Sequence, residues 1–308
     1  MSAKNAEAAP PPAAPTPVFL LANLLVCSML WSSSFLFIKL SGDVNPFVLA
    51  AMRGLVGASA IAAWFAVQAK SIRPEGGEWR NWIVLGALNG WVPNVLVAHA
   101  LTQIGTAPAA MIQASGPLIV AVMSHLLFVD ERLTLGRFIG VLVGFAGMGI
   151  LIGPAALPDS GISPWGALAM MATALSYASA NVYVRTIRHA DPARLALGQQ
   201  ICSGIPATVL ALVLAGPSAF AAVPASATPL ITLGIVSTAL PILLFMRLIR
   251  RAGPTRASMV GYLQPVWAAI LAVLFLGERI GGREMIGGAV VLAGVALVSF
   301  SGRFRRMR

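Results

Sequence analysis

The sequence predicts an all-α integral membrane protein of ten transmembrane helices, arranged as two inverted five-helix repeats. Three observations predict it. The 308-residue chain is 58% apolar and only 10% charged, with a mean hydropathy of +0.84, whereas a soluble domain carries about 25% charged residues. The apolar residues gather in runs of about 20, the length that crosses a bilayer as a helix, and lack the two-residue alternation of barrel strands. One half of the chain also repeats the other at a nearly constant offset.

The first 17 residues, MSAKNAEAAPPPAAPTP, are rich in Ala and Pro and read as a disordered cytoplasmic tail. A weak basic region followed by an apolar run long enough to span argues against a cleaved signal peptide. Apolar runs follow at 18–38, 46–68, 82–101, 107–128, 136–153, 164–184, 194–215, 229–249, 256–276 and 284–301. Pro, Gly and charged residues punctuate the short connections. Residues 303–308 form a basic tail.

With the N-terminus inside, 17 of the 21 basic residues fall in cytoplasmic segments; Lys39, Arg53, Arg279 and Arg283 do not. That bias predicts a plasma (inner) membrane protein with both termini cytoplasmic. It accounts for the net charge of +11 without a nucleic-acid partner. Trp79, Trp82 and Trp165 fall at predicted span ends, where indole prefers to sit. Cys27 and Cys202 lie far apart in apolar runs and read as packing residues, with no disulfide or metal site expected. No cofactor is expected; the partners are the lipid bilayer and a small-molecule solute.

At an offset of 146, Trp31 falls on Tyr177, Ser33 on Ser179 and Pro46 on Pro192. At 148, Gly86 falls on Gly234, Pro93 on Pro241 and Pro117 on Pro265. At 147, Glu131-Arg132 falls on Glu278-Arg279. The two units, 18–153 and 164–302, each hold five spans. An odd number makes the second unit cross in the opposite sense. Inverted repeats are a signature of secondary transporters, whose solute site lies near the midplane at the repeat interface.

The stretch LWSSSFLFIKL (30–40), Arg53 within NPFVLAAMRG, and the paired DERLT and GERIGG hinges before Gly-rich last spans resemble the EamA type of the drug/metabolite transporter superfamily. The resemblance covers residues 18 to 302. It implies a ten-helix bundle that exports or exchanges small organic metabolites such as amino acids or drugs, with the first four helices of each half lining a cavity. The halves differ at Asp130, opposite Gly277, and at Gln199, opposite Arg53.

Polar groups inside spans are costly, so they are the pathway candidates. Arg53 suits a solute carboxylate, which guanidinium holds through two parallel hydrogen bonds. Its bland alternative is snorkelling or pairing with Asp43. Trp91 and Asn94 flank Pro93. Pro93, Pro117, Pro241 and Pro265 are expected to kink their helices, because each removes a backbone hydrogen bond. Trp31, Gln113, Tyr177, Asn181, Tyr262 and Gln264 complete an aromatic and amide set suited to a zwitterionic or aromatic solute. Tyr177 and Asn181, four apart, are expected to share a helix face. The alternative for all of them is interhelical packing and hydrogen bonding. His99 and His125 sit near span ends and read as interfacial.

The hinges at Glu131, Arg132, Glu278 and Arg279 read as structural, ending one helix and starting the next. Thr134 is expected to cap the fifth span. Gly136, Gly140 and Gly144, with Gly287, Gly288 and Gly294, permit close helix approach within the bundle or in a homodimer. No catalytic constellation, metal cluster or filter loop is visible, so an enzyme or a channel is disfavoured. The remaining rival is a non-transporting membrane sensor or scaffold. No carboxylate lies deep in a span, which predicts facilitated diffusion or exchange over proton coupling.

Overall fold

A computed structural model describes residues 17–127, 134–152, 163–187, 190–252 and 260–300. Among them every regular element is helical. The first half comprises α1 (Pro17–Leu40), α2 (Pro46–Val67), α3 (Glu78–Gly86), α4 (Val92–Leu101), α5 (Thr106–Gln113), α6 (Gly116–Leu127) and α7 (Leu135–Ile152). The second comprises α8 (Pro164–Thr186), α9 (Pro192–Leu214), α10 (Ala227–Gly234), α11 (Leu240–Ala252), α12 (Val260–Leu276) and α13 (Gly282–Phe300).

Helices begin where the sequence supplies a cap. Asn45 accepts the Phe47 N–H at 2.9 Å, and Pro46 opens α2. Asp191 accepts the Ala193 N–H at 2.9 Å, and Pro192 opens α9. A short polar acceptor followed by proline satisfies one free helix donor and removes another. The two caps lie 146 positions apart, so the duplication copies the device.

Seven helical stretches in the described residues are long and apolar enough to cross a membrane; α7 and α12 contain shorter apolar segments. Continuous helix also covers the expected tenth span, as α13. Large apolar side chains such as Leu142, Leu175, Val213, Leu274 and Phe275 are exposed on the outside of the bundle. Water would penalise such a surface; lipid does not.

The third unit of each half is interrupted by a π-helical turn. Ala87–Trp91 joins α3 to α4, and Ile235–Ala239 joins α10 to α11, again 148 positions apart. The sequence reading placed these interruptions at Pro93 and Pro241. The structure places them in the preceding turn, and each proline sits in the first turn of the helix that follows. The helix runs on through the first π-turn, so Pro93 leaves the Asn89 carbonyl four residues back without its backbone donor, and Gln199 Nε2 donates to that carbonyl at 3.3 Å. Gly90 absorbs the bend at φ −127°, ψ −109°. Pro117 likewise opens α6 after a break at 114–115, whereas Pro265 lies inside α12.

The most extensive packing joins α7 to α13, α2 to α9, and α1 to α12. Small residues allow it. A methyl group on Gly54 would stand 2.5 Å from Gly204 N, and one on Gly204 2.6 Å from Leu55 N. Gly86 abuts Cys202, and its counterpart Gly234 abuts Val56. Gly147 abuts Val291, and Gly294 abuts Gly144. Exchanging the two halves maps Gly86–Cys202 onto Gly234–Val56, and Gly147–Val291 onto Gly294–Gly144. In the last pair the register rises along α7 as it falls along α13, so the two helices cross antiparallel.

Candidate functional site

The two π-turns face the second helix of the opposite half, and polar side chains bridge the gap. A π-turn disturbs the regular backbone ladder and recurs at functional sites. The Thr238 hydroxyl donates to the Leu233 carbonyl, five residues back, at 2.9 Å. Its oxygen then accepts from Arg53 Nε at 3.0 Å. At the other junction Gln199 Nε2 donates to the Asn89 carbonyl at 3.3 Å, and Gln199 Oε1 accepts from Asn89 Nδ2 at 2.9 Å. Gln199 is the repeat counterpart of Arg53.

The first helix of each half joins the same arrangement. The Ser33 and Ser237 hydroxyls lie 2.7 Å apart, linking α1 to the second π-turn. The Ser176 hydroxyl donates to the Leu88 carbonyl at 2.7 Å, linking α8 to the first. Each π-turn is therefore held by side chains from the first and second helices of the other half.

Arg53 is only 9% exposed, and Tyr177 lies within electrostatic reach of it. The described acidic residues Asp43, Glu75, Glu78, Asp191, Glu278 and Glu284 lie in turns or at helix starts. Gln200 Oε1 and Ser203 Oγ are buried at the α2–α9 crossing, and neither has a hydrogen-bond partner among the described residues. The crossing thus holds more polar capacity than its own contacts consume.

Other expected site residues are more dispersed. The Trp31 ring packs on Phe245 with centroids 5.0 Å apart. Trp91 packs on Ala50, Ala51 and Ala207, one helical turn from buried Asn94. Half-buried Gln113 ends α5. The Gln264 carbonyl accepts from the Ser32 hydroxyl at 2.9 Å. Tyr262 lies on α12, but its side chain is outside the described residues, as are Glu131 and Arg132. Tyr177 is half-buried and Asn181, four residues on along α8, is exposed.

Glu278 takes a structural role across the halves. Its carboxylate oxygens accept the Thr106 N–H at 2.8 and 3.0 Å, capping α5. A carboxylate at a helix N-terminus meets both the free donors and the positive dipole end. Arg279 is exposed. His99 is exposed and lies 2.8 Å from Gln103 Nε2. With Trp165 and Leu168 it lines an open groove of about 380 Å³, away from the π-turns.

The sequence reading noted Gln199 only as a departure from the repeat, and missed Gln200, Ser203, Ser237 and Thr238. A signal existed for the first three: Gln199, Gln200 and Ser203 interrupt the apolar run 194–215 on one side of a helix. Thr238 gives none, because a lone Thr in a span reads as ordinary packing.

Comparison with known proteins agrees with this architecture. The model of the EamA-like transporter family matches twice, over residues 18–153 and 164–300. An Arabidopsis thaliana protein, "WAT1-related protein At3g02690, chloroplastic", is 26% identical over 83% of this chain, which spans 63% of that relative's length. The inner membrane transporter YedA of Escherichia coli K12 is 25% identical over 91% of this chain and 90% of its own. A solved crystal structure at 21% identity shares the fold with a TM-score of 0.66, covering 94% of this chain and 99% of the other. With the family model matched over both halves, this multi-pass membrane protein belongs to the EamA-like transporter family.

Proposed function

We propose that the protein is a secondary transporter that exports or exchanges small organic metabolites across the inner membrane by alternating access. The carrying observation is the paired junction: Arg53 on Thr238 in one half, Gln199 on Asn89 in the other. Both junctions lie where a broken third helix meets the opposite repeat, the position at which transporters of this architecture hold their solutes. The helix order supports ten spans with both termini cytoplasmic. The antiparallel crossing of α7 and α13 supports an inverted relation between the halves. If the halves rock about the α2–α9 and α7–α13 crossings, the polar junctions open to one side and then the other.

Counterflow in proteoliposomes tests this. Vesicles loaded with an exported solute are expected to accumulate labelled solute from outside. Absence of counterflow across a broad metabolite panel would leave a non-transporting role. Dissipating a pH gradient at constant solute gradient is expected to leave the flux unchanged, because transport here proceeds by facilitated diffusion or exchange.

A further inference from the structure

Given a transport site between the two π-turns, which rests on the transporter reading, we propose that its solute is an organic carboxylate docked on the terminal nitrogens of Arg53. Arg53 is nine-tenths buried, and its Nε is occupied by Thr238 at 3.0 Å. Among the described residues no acceptor meets Nη1 or Nη2. Two more polar atoms at the α2–α9 crossing, Gln200 Oε1 and Ser203 Oγ, are buried with no partner among the described residues.

Charge balance points the same way. A buried cation is stable when paired. The described carboxylates stand in turns or at helix starts, so none of them neutralises a residue two turns inside α2. A solute that brings the missing negative charge completes the pair only while bound.

Orientation is built in. The Thr238 hydroxyl proton is committed to the Leu233 carbonyl at 2.9 Å, so its oxygen faces the guanidinium as an acceptor. The π-turn thereby aims Arg53, leaving the Nη1/Nη2 edge as a fork that matches a carboxylate through two parallel bonds. Thr238 is a positioning residue. The opposite junction offers no second cation, because Gln199 and Asn89 are neutral amides hydrogen-bonded to each other. The solute therefore binds with one polarity, its carboxylate toward α2 and its body past Tyr177.

The test uses purified full-length protein and matched acid and amide probes: 3-phenylpropionate with 3-phenylpropionamide, and L-phenylalanine with L-phenylalaninamide. Binding is read by intrinsic fluorescence and thermal midpoint. At least one acid is expected to bind about tenfold or more tighter than its amide, the scale of one charge-assisted hydrogen bond. That preference is expected to vanish in Arg53→Gln, to shrink in Arg53→Lys, which keeps charge but loses the fork, and to shrink in Thr238→Val, with amide binding unchanged. Should Arg53→Gln fail to fold, the wild-type preference and the Thr238→Val shift decide the matter. Equal binding of acid and amide, no binding of either acid, or a preference retained without Arg53 would each overturn the proposal. Counterflow without acid preference defeats this proposal alone; acid preference without counterflow defeats only the transporter reading.

Discussion

The Arg53 junction and the Gln199 junction occupy counterpart positions and do different chemistry. Both place a long polar side chain from the second helix of one half against the π-turn of the other. Gln199 closes a reciprocal, uncharged pair with Asn89. Arg53 spends one donor on Thr238, and no other described residue accepts from it. Duplication supplied the geometry twice, and divergence placed the charge once. A solute bound between such halves meets an asymmetric site inside a nearly symmetric frame.

The frame itself is the most fragile part of that comparison. Gly54→Leu places a branched side chain where a Cβ already stands 2.5 Å from backbone. Overpacking costs about 1–3 kcal/mol when neighbours yield, and a helix backbone yields little. We expect loss of the folded state or a large fall in thermal midpoint in detergent. Gly149→Ala is the contrast: nothing stands within 4 Å, so it is expected to stabilise α7 by up to about 1 kcal/mol through helix propensity.

Exchanging the charge is the next largest perturbation. In Arg53→Gln with Gln199→Arg, the guanidinium at 199 faces Asn89 and not an acceptor oriented like Thr238. The exchange is expected to lower the thermal midpoint, because the guanidinium loses the Thr238 acceptor and Asn89 loses its amide partner, and to leave acid over amide preference unrestored. Restoration to wild-type preference would mean that the two junctions are chemically interchangeable.

Gln199→Ala removes two hydrogen bonds at the neutral junction. Interhelical hydrogen bonds in membranes average about 0.6 kcal/mol each, so a loss of about 1 kcal/mol is expected by reversible unfolding in mixed micelles. Acid preference is expected to survive, since Arg53 and Thr238 are untouched. Glu278→Gln is expected to have the smallest effect. It keeps an acceptor at the α5 N-terminus but loses the charge that complements the dipole, worth about 0.3–1 kcal/mol. A thermal midpoint unchanged within error would remove Glu278 as a tie between the halves.

Periodicity made the helices legible, since lipid tolerates only backbones that satisfy themselves within a segment. The caps at Asn45-Pro46 and Asp191-Pro192 went unread, although each acts within a few neighbouring residues. Arg53 stood out because a charge inside a span is costly anywhere. Thr238 did not, because its value lies in a contact 185 positions away in sequence. Spacing along one helix says which residues are near each other, not which neighbour they meet.

By itself the sequence determined the membrane class, the duplication and the one charge deep in a span, because each follows from local composition or from comparison of the chain with itself. Only the tertiary structure decided that Arg53 and Gln199 serve opposite π-turns, that the breaks precede the prolines, and that Glu278 caps α5. Those facts depend on which helices cross and at what register. That choice comes from glycines letting backbones approach to contact distance, and no linear pattern encodes it.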